Sequence, residues 1–222
     1  MDSKRLTIFA GHYGSGKTNI AVNYAVRLAK EGKKVCIADL DIVNPYFRTK
    51  DSERELSEYG IHLISPQYAN SNVDLPALPA ESYRLVQDKS IFGIMDIGGD
   101  DRGAYALGRF ADAIKEENNY RMAFVVNCFR PLTSTVKDAV EIMREIEIAA
   151  KISFNCIVNN SNLGGYTTKQ TFMESLDFTD ELCRVTGLPI WMHTAEKSVA
   201  DEISEVSVMP LELQKKYFDL PN

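Results

Sequence analysis

Leu6-Thr7-Ile8-Phe9-Ala10-Gly11-His12-Tyr13-Gly14-Ser15-Gly16-Lys17-Thr18 joins a strand-like run to a helix-like one through a glycine-rich turn. Leu6–Ala10 is apolar, and from Lys17 to Lys30 the apolar residues recur at helical spacing. Between them, Gly11 to Thr18 fits GxxxxGK[ST]. In such a turn the backbone curls so that successive N–H groups converge on a phosphate. Lys17 adds a point charge toward the β and γ oxygens, the Thr18 hydroxyl can ligate Mg²⁺, and the following helix contributes its positive end. Gly11, His12, Tyr13, Gly14, Ser15, Gly16, Lys17 and Thr18 are therefore the expected phosphate site. A glycine-rich turn without a ligand is the plain alternative. The strand before and the helix after are the context that the phosphate reading requires.

Outward from this turn, short apolar runs alternate with helical patterns. Strands are expected at Leu6–Ala10, Val35–Leu40, Ile61–Ile64, Ile91–Asp96, Met122–Asn127, Phe154–Asn159 and Leu188–Met192. Helices are expected near Lys17–Lys30, Ser52–Tyr59, Ala80–Gln87, Ala104–Glu117, Thr133–Ala149, Thr168–Thr186 and Glu196–Ser204. Most strand runs are continuous rather than alternating, as when both faces are covered. The expectation is an α/β fold: a three-layer, doubly wound, mainly parallel sheet of roughly seven strands. Residues 1–222 are expected to form a single domain. Ser65–Pro79 stands out as a long irregular stretch, and Leu211–Asn222 as a weakly amphipathic tail that would pack onto the domain.

Composition narrows the classes. Hydrophobic residues make up 45% and charged residues 25%, with a net charge of −6. These values fit a globular protein and exclude a disordered chain or a fibre. The acidic balance argues against broad nucleic-acid binding. No run approaches the roughly 20 apolar residues of a membrane span, and no signal-peptide core follows Met1, so a cytoplasmic location without membrane contact is expected. Cys36, Cys128, Cys156 and Cys183 share no CxxC spacing and are expected to be small buried hydrophobes, with no iron–sulfur cluster.

In open α/β sheets, ligands bind beyond the carboxyl ends of the strands. The second strand ends Ile37-Ala38-Asp39-Leu40-Asp41 and the fourth Ile94-Met95-Asp96-Ile97-Gly98-Gly99. A carboxylate there can hold Mg²⁺ against a triphosphate, and Asp96 suits that role best, with Thr18. Asp-x-x-Gly would then let the Gly99 amide respond to a γ-phosphate.

The phosphate loop, Asp39-Leu40-Asp41 and Asp96-Ile97-Gly98-Gly99 together resemble the MinD/ParA/CobQ group of P-loop ATPases, of the SIMIBI class. The resemblance extends to Leu188-Pro189-Ile190, and Asp39–Arg48 is most similar to an ATP-binding branch of that group. It implies ATP and Mg²⁺ as ligands, Asp41 in switch I orienting the attacking water, Asp39 near Mg²⁺, and a homodimer or protein partner. One departure is plain: the group's signature lysine is replaced by His12, which is shorter and mostly neutral near neutrality. Arg48 and Arg102 are candidate replacements, as arginine fingers or as ordinary surface ion-pair residues. By resemblance, Asn159 or Asn160 would meet the adenine edge and the segment after Pro189 would close that pocket; a strand-to-loop turn is the competing reading of the asparagines. No acid stands in Asn159–Asn162 to accept from guanine, which favours ATP over GTP. Arg130, after the fifth strand, could face the ligand or make a surface pair, and Asp100 and Asp101 are either a cation site or a solvated loop. His62 and His193 are expected to be structural.

Three functions remain open on the sequence. The first is an ATP- and Mg²⁺-dependent switch with slow hydrolysis, using Lys17 and Asp41. The second is an enzyme, similar to CobQ or dethiobiotin synthetase, that uses ATP to activate a small carboxylic acid. The third, less favoured, is a metal or iron–sulfur delivery ATPase.

Overall fold

The computed structural model describes residues 3–41, 53–65, 80–99 and 101–213, with no side-chain description at positions 101 and 102. Eight strands form one sheet: β1 (Leu6–Ala10), β2 (Val35–Leu40), β3 (His62–Ile64), β4 (Phe92–Ile97), β5 (Tyr120–Val126), β6 (Cys156–Asn159), β7 (Ile190–Glu196) and β8 (Val208–Leu211). Their order is β3-β2-β4-β1-β5-β6-β7-β8, and every recorded pairing is parallel. From β1 the chain first builds β2, β3 and β4 on one side, then crosses to lay down β5 and the rest on the other. The carboxyl end of β1 thus lies at the switch point, where an open crevice forms.

Continuous apolar runs are explained by the two faces of the sheet. Ile8, Ala10, Met95, Phe124 and Val126 join one core, while Phe9, Ile94, Ala123 and Val125 join the other. Helix α1 (Lys17–Lys30) covers the second face through Ile20, Ala21, Tyr24 and Leu28. Helices α4 (Asp101–Gly108), α5 (Ala111–Glu117) and α6 (Val136–Ala150) cover the first through Leu107, Ile114 and Met143. Helix α2 (Glu53–Glu58) buries Leu56, and α3 (Arg84–Gln87) buries Leu85 and Val86. Helix α7 (Lys169–Thr186) starts in a capping box of Thr168 and Thr171 and stops at Gly187, and α8 (Lys197–Ala200) is a single turn.

Several expected boundaries differ, each for a local reason. The segment 80–87 opens as a 3₁₀ turn, Ala80–Tyr83, before becoming α3. The expected helix Ala104–Glu117 is two helices. Gly108 packs against the carbonyl of Ala149 at the end of α6, where a Cβ would sit 3.0 Å from that oxygen, and Phe110 turns inward to become 1% exposed. Strand β8 was not expected. Its Pro210 cannot donate to a ladder, yet an edge strand tolerates it, and Ala195 and Glu196 of β7 stand in register with Pro210 and Leu211. Leu211 therefore belongs to the sheet rather than to an amphipathic tail; residues 214–222 and most of Ser65–Pro79 lie outside the described residues. No helix among the described residues is long and apolar enough to cross a membrane.

At the amino edge of β1, buried Arg5 donates to the carbonyls of Leu85 and Ile91 and pairs with Glu117. That pairing holds the Glu117 carboxyl below its usual range. Cys36 and Cys156 are buried, and burial pushes both thiols up to about 12, so they act as packing groups.

Behind the loop, Phe9 stacks on Trp191 at 5.8 Å and meets Tyr24 edge-on at 5.9 Å. Phe9 is fully buried. Phe9→Ala is expected to cost about 3–5 kcal/mol in denaturant unfolding followed by the fluorescence of Trp191, the only tryptophan. A loss below about 1 kcal/mol would mean that this cluster does not support β1.

Candidate functional site

The loop Gly11–Thr18 links β1 to α1, and Gly16 at the N-cap of α1 is left-handed (φ 86°). Gly16 has no side chain with which to cap that helix and no acid occupies its first turn, so the positive end of α1 lies at the loop. Gly16 is required twice over: its backbone is left-handed, and a Cβ would collide with Asn160 Nδ2. Asn160 braces the loop, donating from Nδ2 to the Ser15 carbonyl at 2.7 Å while Oδ1 accepts from Thr194 Oγ1 at 2.8 Å. Lys17 is 6% exposed and folds back along the loop, with Nζ donating to the His12 carbonyl at 3.1 Å. His12 turns its ring onto its own loop, Nδ1 donating to the Tyr13 carbonyl at 2.9 Å.

Opposite the loop stand the acids. Asp39 and Asp96 are partners in the β2–β4 register and each is 1% exposed. Thr18 Oγ1 donates to Asp96 Oδ2 at 2.6 Å, a contact that spans α1 and β4. The Asp39 Oδ1 accepts from the Asp41 N–H at 3.0 Å, fixing the chain where it leaves β2. Asp41 sets its carboxylate against Gly98. Gly99 lies against the backbone of His12 and Tyr13 so closely that any Cβ would clash. The residues after β4 are thus in direct contact with the loop, with no room for a larger residue.

An open cleft runs over these groups, about 990 Å³ when the solvent space at its mouth is counted. Tyr13, Gly14, Gly16, Lys17, Thr18 and Asp41 line its phosphate-loop end. Asn160, Asn162, Gly164, Thr167, Ala195, Glu196, Leu211 and Leu213 also line it, as does Arg130, which lies against Gly14. Leu211 carried no signal in the sequence, and Glu196 was covered only by the expectation that the segment after Pro189 closes the base pocket. Glu196, at the end of β7, and Leu211, on β8, reach the cleft only because the last two strands pair beside β6.

Of the residues singled out in the sequence, the phosphate loop, Asp39, Asp41, Asp96 and Gly99 are brought together. Asn159 is not with them. It is fully buried, its Nδ2 donating to Ser175 Oγ at 2.9 Å and lying 3.3 Å from His193 Nδ1, while its Oδ1 accepts from the Ser161 N–H. Asn160 lines the cleft, but its amide is engaged by Ser15 and Thr194. His193 is half-buried, and that burial lowers its pKa. His62 Nε2 lies 2.6 Å from Glu81 Oε1. Arg48 and Asp100, and the side chains of Asp101 and Arg102, lie outside the described residues.

A parallel sheet whose central strand feeds a glycine-rich loop and an uncapped helix, faced by acids from two neighbouring strand ends, defines a P-loop NTPase of the SIMIBI class. Within it, the chain belongs to the CobQ/CobB/MinD/ParA nucleotide binding domain family, whose model matches residues 6–165. Among solved structures, FtsY of Thermotoga maritima has a TM-score of 0.55 at 19% identity, covering 86% of this chain and 61% of that one. Chloroplast FtsY of Physcomitrella patens has 0.57 at 16%, covering 86% and 58%. The signal recognition particle 54 kDa protein of Aeropyrum pernix, solved in complex with GDP, has 0.51 at 15%, covering 83% and 40%. At such identities the likeness is one of fold, and the chain spans less than two thirds of each of those chains. No curated protein sequence matches this chain.

Proposed function

We propose that residues 1–222 act as one nucleotide-binding domain, a cytoplasmic, Mg²⁺-dependent ATP switch that hydrolyses slowly and signals to a protein partner or a second copy. The observation that carries this reading is the 2.6 Å Thr18–Asp96 hydrogen bond beside the uncapped start of α1. These two oxygen donors, at the mouth of a phosphate loop, fit a magnesium ion. Magnesium would be held by Thr18 and Asp96, with Asp39 close by, and would neutralise charge on the phosphates. Lys17 would bind the β and γ oxygens, and Asp41 would orient a water molecule. Gly99, already packed on the loop backbone, would respond to a terminal phosphate and pass that state into α4. Hydrogen exchange tests the switch: ATP with Mg²⁺ should protect the amides of Gly98 and Gly99 more than ADP with Mg²⁺. Equal protection by both nucleotides would remove the switch from the proposal.

Glu196 supports a second reading of the base. Glu196 is among the residues that line the cleft, and a carboxylate accepts from guanine N1–H and the exocyclic amine together. The absence of an acid from Asn159–Asn162 supports ATP; the presence of Glu196 supports GTP. Glu196→Gln separates them. On the ATP reading its affinities for ATP and GTP keep the parent ratio; on the GTP reading GTP alone weakens, on the order of tenfold. Competitive displacement of a labelled nucleotide reads the ratio.

A further inference from the structure

The loop after β5 places an arginine over the phosphate loop of the same chain. Arg130 Nε donates to the Gly14 carbonyl at 3.1 Å, and its side chain lies against Gly14 and lines the cleft. No ion pair to Arg130 is recorded among the described residues, unlike the surface pairs of Arg27 or Arg84. The segment that carries it is fixed. Asn127, fully buried, accepts from the Phe129 N–H through Oδ1, and its carbonyl accepts from Arg130 N–H at 3.1 Å and Thr133 Oγ1 at 2.7 Å. The Thr133 N–H then donates to the Arg130 carbonyl at 3.0 Å. A guanidinium held through Nε still presents two NH₂ groups in a planar fork suited to phosphate oxygens.

The electrostatics call for such a group. Magnesium leaves a triphosphate anionic, and Lys17 offsets only part of that charge. His12 turns its ring back to the Tyr13 carbonyl and is not among the described residues that line the cleft. Among the described residues that line the cleft, Lys17 and Arg130 are the cations, and Asp41 and Glu196 are the opposing carboxylates.

We propose that Arg130 is the second phosphate-binding cation of this site, supplied by the chain itself rather than by a partner subunit. This rests on the nucleotide-binding reading above. Its ligand is the phosphate chain of a bound nucleoside di- or triphosphate, and it makes the site complete within one copy.

The test uses the full chain with Arg130→Gln, which keeps a donor for the Gly14 carbonyl but removes the charge, and with Arg130→Lys. Arg130→Gln should weaken ATP with Mg²⁺ on the order of tenfold at low salt, leave adenosine unaffected, and approach the parent at high salt. Arg130→Lys should recover most of the loss. Turnover per chain in the parent should not change with protein concentration. An equal loss for adenosine would make Arg130 a base contact and overturn the proposal. So would parent-like ATP affinity in Arg130→Gln, or turnover that rises with protein concentration. If those results accompany loss of binding in Lys17→Ala, the pocket reading survives; if the parent binds no nucleotide, both fall.

Discussion

Lys17→Ala should abolish measurable ATP binding, with a loss of at least roughly a hundredfold in affinity, or about 3 kcal/mol. Three features make Lys17 the largest single contributor. It is almost wholly buried, so its ammonium acts where water screens poorly. It begins α1, whose positive end adds to its charge. Its Nζ already lies along the loop, donating to the His12 carbonyl, so little reorganisation is needed to meet a phosphate. The effect should be electrostatic rather than structural, and Lys17→Met, which keeps the stem, should lose binding equally. Unfolding midpoints of both variants serve as the check on folding. Parent-like ATP affinity in a folded Lys17→Met would mean that the loop binds no phosphate.

Asp41→Ala should separate binding from turnover. Asp41 lines the cleft, its carboxylate rests against Gly98, and its N–H is tied to Asp39. A carboxylate there sits between the two segments that follow β2 and β4, where an attacking water would need a partner. Removing it should slow single-turnover hydrolysis at least about a hundredfold and leave ATP affinity within a few-fold. The Asp39–Asp41 hydrogen bond uses the backbone N–H, so alanine preserves it. Hydrolysis at the parent rate would remove Asp41 from the reaction, and equal loss of binding would make it a ligand contact instead.

The parts legible in the sequence were those where chemistry and periodicity coincide. Leu6–Ala10 and Lys17–Lys30 have their expected limits, because a fully buried strand and a motif-started helix leave few alternatives. Asp39 and Asp96 were legible as strand-end acids, and their register pairing follows from β2 lying beside β4. The cleft's far end was legible only in outline, as the segment after Pro189. Asn160 has the composition of a base reader, yet the fold ties its amide to Ser15 and Thr194, a contact spanning 145 residues of sequence in the first case. Glu196 is an unremarkable charge until β7 carries it to the crevice, and Arg130, open in the sequence between the ligand and a surface pair, is placed there by the loop after β5. Strand β8 was hidden by Pro210, which breaks a local strand signal but costs nothing at the outer edge of a sheet.

The central claim is that the cleft over Gly11–Thr18 binds a magnesium-complexed nucleoside triphosphate. Calorimetric titration of the parent chain with ATP, with and without Mg²⁺, tests it most directly. The account predicts saturation at one ATP per chain, tighter with Mg²⁺ than without. No saturable heat with either ATP or GTP, or saturation unaffected by Lys17→Met, would contradict it.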